Sequence, residues 1–117
     1  MKYNLQISMD MVRDLENLND YLTQYFSAEV AKKSLQVIVD AYQLLAEFPN
    51  RGFVIQGLTS LMLMYYRLIL PRNVIFYTVN SSERIVSLQR LFSHKQDTMK
   101  IFKEWLNVQD RLDGFRS

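Results

Sequence analysis

The chain has 117 residues, 49% of them hydrophobic and 22% charged, with a formal net charge of +2, no cysteine and one histidine. That is enough for one domain with its own core, and too hydrophobic for a disordered chain. The absence of cysteine excludes a disulfide scaffold, a thiol nucleophile and thiolate metal sites, and a single histidine removes most of the remaining metal chemistry.

The opening residues, MKYNLQIS, place Tyr3, Leu5 and Ile7 on one side and Lys2, Asn4 and Gln6 on the other. This period of two predicts a half-buried strand. Ser8 or Asp10 can cap the helix that follows, in which Met11, Val12, Leu15, Leu18, Leu22 and Tyr25 recur every three or four residues up to about Phe26. Ser27 caps a second helix with its own stripe, Ala31, Leu35, Ile38, Tyr42 and Leu45, which Pro49, Asn50 and Gly52 end. So short a connection makes the two helices an antiparallel hairpin.

The period then changes. Leu61–Leu70, Val74–Val79 and Arg84–Phe92 read as three strands, joined by the turns Pro71–Arg72–Asn73 and Asn80–Ser81–Ser82–Glu83. Phe53–Gln56 can add a short edge strand, and Met99, Phe102, Trp105 and Leu106 mark one face of a last helix. The expected fold is α+β: a strand, a helical hairpin covering the inner face of the sheet, a three-stranded antiparallel meander and a C-terminal helix. It forms a single domain over 1–108, followed by a polar tail over 109–117. The opening residues lack the apolar run of a secretory signal, and Leu61–Leu70, broken by Arg67, falls well short of the ~20 residues a bilayer helix needs. A cytoplasmic protein with no membrane segment is expected.

Charge is uneven. Residues 1–50 hold four basic against seven acidic side chains, whereas residues 51–103 hold eight basic against two acidic. An anionic partner such as nucleic acid or an acidic peptide would suit the second segment; complementing the acidic helices within the fold would equally explain it. Arg67 shares strand parity with Leu61, Leu63, Tyr65 and Ile69, so its guanidinium needs a partner. The options are a phosphate held in a bidentate fork, an internal carboxylate, with Asp14, Asp40 and Glu47 as candidates, or a face turned to water. Arg90 ends the last predicted strand, and His94 and Lys95 follow it, where a sheet presents side chains to a ligand. His94 is a proton-transfer candidate or an inert surface group. Tyr65, Tyr66 and Tyr77 lie on the sheet as packing residues or as platforms for bases. The three glycines build no phosphate loop, and no nucleophile elbow, H-E-x-x-H or informative carboxylate pair is present.

Taken in order, KYNLQIS, MVRDLENLNDYL, LLAEFPNRG, YYRLIL, VIFYTV and IVSLQRLFSHKQD resemble the RelE/ParE superfamily, the toxins of bacterial type II toxin–antitoxin pairs. The resemblance runs from Tyr3 to about Trp105. It implies a compact toxin, with a small antiparallel sheet and helices on one face, that a cognate antitoxin wraps and neutralises. RelE-like members cut mRNA on the ribosome without a metal or other cofactor, the RNA 2′-hydroxyl attacking the adjacent phosphate. On that pattern Arg67, Arg90 and His94 are the expected catalytic residues, with Arg51, Lys95 and Tyr77 as substrate contacts. Two departures stand out. Ser93 occupies the fourth position of the R-x-x-H pattern of many relatives, and Arg51 is the only charged residue between Pro49 and Ser60, where a lysine or glutamate base would sit.

The reading favoured by the resemblance is therefore a ribosome-dependent mRNA endoribonuclease that blocks translation. The alternatives are a ParE-like toxin that binds DNA gyrase without chemistry of its own, which the missing base and the apolar stretch from Gly52 to Met64 favour, and a decayed toxin that only binds its antitoxin.

Overall fold

A computed structural model of the chain describes residues 2–59 and 64–116. The elements run β1 (Asn4–Ile7), α1 (Met9–Tyr25), α2 (Ala28–Gln43), a 3₁₀ turn (Leu44–Ala46), β2 (Phe53–Thr59), β3 (Met64–Ile69), β4 (Asn73–Asn80), β5 (Ile85–Ser93) and α3 (Thr98–Arg116). The fold is α+β, as the alternation and helical stripes predict.

Both hairpin helices begin at serines. Ser8 Oγ accepts the Met11 amide hydrogen at 3.0 Å, and Ser27 Oγ accepts that of Val30 at 3.1 Å. Each bond satisfies an amide that the helix leaves open. Of the two caps considered for α1, the structure uses Ser8.

The sheet has five strands in the order β1–β5–β4–β3–β2. β2 to β5 form an antiparallel meander, and β1 joins it parallel to β5, with Asn4 opposite Ile85 and Ile7 opposite Leu88. The meander thus has four strands rather than three. The short edge strand expected at Phe53–Gln56 runs on to Thr59, so the first part of the apolar stretch after Gly52 is sheet. The run expected from Leu61 forms strand from Met64, and residues 60–63 lie outside the described residues.

The sheet carries helices on both faces, where the sequence and the resemblance suggest one. Met11 and Ile38 of the hairpin pack on Tyr66, Leu68, Ile75, Tyr77, Val86 and Leu88. On the opposite face Phe102 of α3 is fully buried against Phe76, Val74, Phe92 and Ile55. β4 explains the second layer: all six residues from Val74 to Val79 are buried, so both of its faces need cover. The last helix, α3, takes in residues 109–116. Among the described residues, no helix is long and apolar enough to cross a membrane.

Candidate functional site

Strand register brings Arg67 and Arg90 onto one face. Arg67 of β3 lies opposite Phe76 of β4, and Phe76 lies opposite Arg90 of β5. Two inter-strand steps separate the arginine backbones, about 10 Å. A bulge makes this possible. Tyr77 pairs with Leu88 and Phe76 with Arg90, which leaves Gln89 without an opposite number. The extra residue switches parity, so Val86 and Leu88 face the hairpin while Arg90 and Phe92 face α3.

The two arginines then part company chemically. Arg90 donates from Nε to Asp14 Oδ2 at 2.8 Å and from Nη2 to Asp14 Oδ1 at 2.9 Å, and the Leu91 amide donates to the same Oδ2 at 2.9 Å. Only 19% of the Arg90 side chain and 13% of the Asp14 side chain are exposed. The guanidinium also lies 4.7 Å from the Phe92 ring centroid and 5.4 Å from that of Trp105, so α3 covers it. Asp14 was a candidate partner for Arg67; the structure gives it to Arg90. Arg67 is half-buried, and its side chain makes no hydrogen bond or ion pair with a described residue.

Asp14 is where it is because α1 takes over from β1 along the edge of β5. The parallel ladder ends at Ile7 opposite Leu88. Beyond it, the Ser8 amide donates to Leu88 O at 2.9 Å, Ser8 Oγ to Gln89 O at 2.6 Å, Asp14 accepts from Leu91, and Gln96 Oε1 accepts from the Ser93 amide at 3.2 Å. Side chains replace a missing strand and satisfy the free sheet edge.

The remaining predicted site residues are dispersed. His94 is exposed at the end of β5, and its Nε2 sits 2.6 Å from Leu70 O, next to the β3–β4 turn. Lys95 is exposed, with its amide donating to Ser93 Oγ at 3.2 Å. Arg51 is exposed in the loop before β2. Tyr77 faces the hairpin and is fully buried, so the role of substrate contact is corrected by its position. Its hydroxyl donates to Pro49 O and accepts from the Gly52 amide, both at 2.9 Å. Burial, then the Tyr66 hydroxyl nearby, push its pKa up to about 12 against the lowering effect of the Gly52 hydrogen bond. Tyr66 stacks on it, with centroids 5.2 Å apart, and donates to Asn50 Oδ1 at 2.9 Å. The two tyrosines pin the loop that carries Arg51.

Sequence reasoning missed the Asp14 clamp because it depends on the Gln89 bulge, which no local pattern announces. No group of three or more His, Cys, Asp or Glu able to hold a metal occurs among the described residues.

Comparison with known proteins agrees with this architecture. The family model described as the ParE toxin of type II toxin–antitoxin system parDE matches residues 5–98. No curated protein sequence matches significantly. Among solved structures, the chain is similar to the archaeal RelE–RelB complex from Pyrococcus horikoshii OT3, at 20% identity and a TM-score of 0.59 over 80% of this chain and 96% of that one. It is also similar to the chromosomal ParDE system of P. aeruginosa, at 17% identity and a TM-score of 0.61 over 79% and 96%. A third similarity is to the RelBE2 toxin–antitoxin complex of Mycobacterium tuberculosis, at 13% identity and a TM-score of 0.55 over 82% and 95%. The β-sheet, the hairpin and the family match over most of the chain agree: the protein belongs to the RelE/ParE superfamily, in the ParE toxin family of type II toxin–antitoxin systems.

Proposed function

We propose that this toxin acts by binding a protein target, DNA gyrase, rather than by cutting RNA, and that a cognate antitoxin neutralises it. The observation that carries the reading is the bidentate Asp14–Arg90 pair, which occupies the arginine that a nuclease would turn to phosphate. Metal-independent cleavage of RNA also needs an acid and a base within hydrogen-bond reach of the reacting atoms. Among the described residues, the acid and base candidates that the sequence singled out are not gathered at Arg67. His94 lies against a backbone carbonyl at the strand end, Tyr77 is enclosed, and the loop before β2 carries Arg51 together with Glu47, whose carboxylate lies 3.5 Å from Lys2 Nζ. Gyrase as the target follows the ParE-like branch of the superfamily.

One observation favours the nuclease reading in turn: Arg67 and Arg90 share a sheet face in a single row with Phe76. The two readings part in the cell. Induction should produce DNA-damage signalling and gyrase-linked breaks while mRNA stays intact, and purified toxin should inhibit gyrase supercoiling. Rapid mRNA cleavage on ribosomes with undamaged DNA overturns the proposal.

A further inference from the structure

Helix α3 carries two apolar faces, and the sheet takes one of them. Phe102 is fully buried there, against β2, β4 and β5. Ile101, Trp105, Val108 and Leu112 follow one another in steps of four, three and four residues, which aligns them in a second stripe along the helix. Ile101 and Trp105 are half-buried beside the sheet contact, whereas Val108 and Leu112 are 49% and 44% exposed. Two charges border this stripe. Glu104 and Arg111 are both exposed and stand seven residues apart, which puts them on one side of the helix about 10 Å from each other at 1.5 Å per residue. Neither makes an ion pair with a described residue. An apolar stripe bordered by unpaired charges of both signs is the pattern of a helix that packs on another helix.

We propose that the stripe docks on its own copy: two molecules of this chain pair through α3, antiparallel, about a two-fold axis near Val108. The charges single out this occupant. An axis between Asn107 and Val108 sets Glu104 of each copy opposite Arg111 of the other, so one contact forms two ion pairs. The same axis brings the two Val108 side chains together, with Trp105 and Leu112 on either side. A parallel pair sets Glu104 against Gln109 and forms neither ion pair. A uniformly acidic or uniformly basic partner helix satisfies only one of the two charges. Nucleic acid fits poorly, because it would meet valine, leucine and a carboxylate where a track of cations is needed. One helix laid on its copy is small for an interface, so the association is weak and grows with concentration. The inference concerns assembly alone and holds whichever target the toxin takes.

The test is sedimentation of the full-length chain over a range of concentrations, as wild type, Glu104→Arg and Arg111→Glu. The emission of Trp105, the one tryptophan of the chain, is recorded alongside. Wild type is expected to dimerise with a dissociation constant on the order of 10⁻⁴ M or tighter, and the Trp105 emission to shift to the blue in step as the partner helix covers it. Each single reversal brings like charges together twice and should weaken dimerisation at least ~10-fold, with thermal melts checking that these exposed substitutions leave the fold intact. An equimolar mixture of the two variants restores both opposite-charge contacts and should recover association to within ~3-fold of wild type. Neither a folding defect nor a change in total charge can produce that recovery. Folded wild type that stays monomeric up to ~1 mM leaves the stripe to a different partner and overturns the proposal. Dimerisation that both reversals leave unchanged, or that does not move the Trp105 emission, places the contact elsewhere and overturns it too. So does a mixture that associates no better than its two components.

Discussion

Asp14 and Arg90, 76 residues apart in sequence, form a bidentate pair that also takes in the backbone amide of Leu91. The pair joins α1 to the bulged half of β5, where no neighbouring strand is present to close the edge. Removing the carboxylate strands both a poorly solvated guanidinium and a main-chain donor. Asp14→Ala should therefore cost about 2–4 kcal/mol of stability. The double variant Asp14→Ala/Arg90→Ala should cost less than the two single losses added together, because no orphaned charge remains. Urea unfolding of the four proteins measures this coupling. Strict additivity would mean that the contact carries no net energy.

Tyr77 gives a prediction with a pH axis. Its pKa is raised from the ordinary 10.0 to about 12, mainly by burial, and those of Tyr65 and Tyr66 are raised too. Above pH 10 the unfolded chain gives up the Tyr77 proton while the folded chain keeps it. The unfolded state then binds fewer protons, and stability falls as pH rises. The contribution is complete below about pH 10 and is lost between roughly 10 and 12. Tyr77→Phe should flatten part of this decline and cost about 1–3 kcal/mol at neutral pH, because the Gly52 amide and the Pro49 carbonyl lose their shared partner. Denaturant midpoints from pH 8 to 11.5 test both effects.

Much of the fold was legible in the sequence because it is written in local periodicity. The alternation of residues 2–7, the stripes of α1 and α2 and the apolar face of α3 each predict their element. Ser27 follows from cap chemistry alone, whereas for α1 that chemistry left Ser8 and Asp10 both open. The position of α3 was not legible, since Met99, Phe102, Trp105 and Leu106 reveal an apolar face without saying which side of the sheet it covers. The continuous burial of Val74 to Val79 was the available signal, as a strand covered on one side would alternate. The candidate site was less legible still. Parity counting puts Arg90 beside Val86 and Leu88, and only the bulge at Gln89 turns it to the other face. The fate of Arg90 was therefore settled by one unpaired residue and by a carboxylate contributed from the far end of the chain.

Gly52 is held in a space that admits no side chain. A Cβ there would lie 2.6 Å from Arg67 O and 2.7 Å from the Tyr77 hydroxyl. One of these neighbours is backbone, and the other is already fixed by two hydrogen bonds. Neither can yield cheaply. Gly52→Ala should cost about 1–3 kcal/mol, as overpacking does, by pushing the start of β2 away from β3. Faster amide exchange confined to β2 and the Pro49–Arg51 loop would locate the strain, whereas an unchanged melting temperature would contradict it.

Arg67 and Arg90 make a contrast that thermodynamics can read separately from toxicity. Both face α3 in the same row of the sheet, yet Arg90 is clamped and Arg67 makes no side-chain hydrogen bond or ion pair with a described residue. Losing Arg90 abandons the Asp14 carboxylate and the ring contacts, so Arg90→Ala should cost about 2–4 kcal/mol. Losing Arg67 removes a half-buried cation that makes no side-chain hydrogen bond or ion pair with a described residue, so Arg67→Ala should stay within about 1 kcal/mol of wild type. This difference makes Arg67 the informative position for function, because its loss leaves the fold in place. If toxicity depends on binding a protein target, folded Arg67→Lys, which keeps the charge but not the bidentate fork, should remain close to wild type in growth inhibition. If toxicity depends on holding a scissile phosphate, that same substitution should abolish it, and the binding mechanism would have to be abandoned.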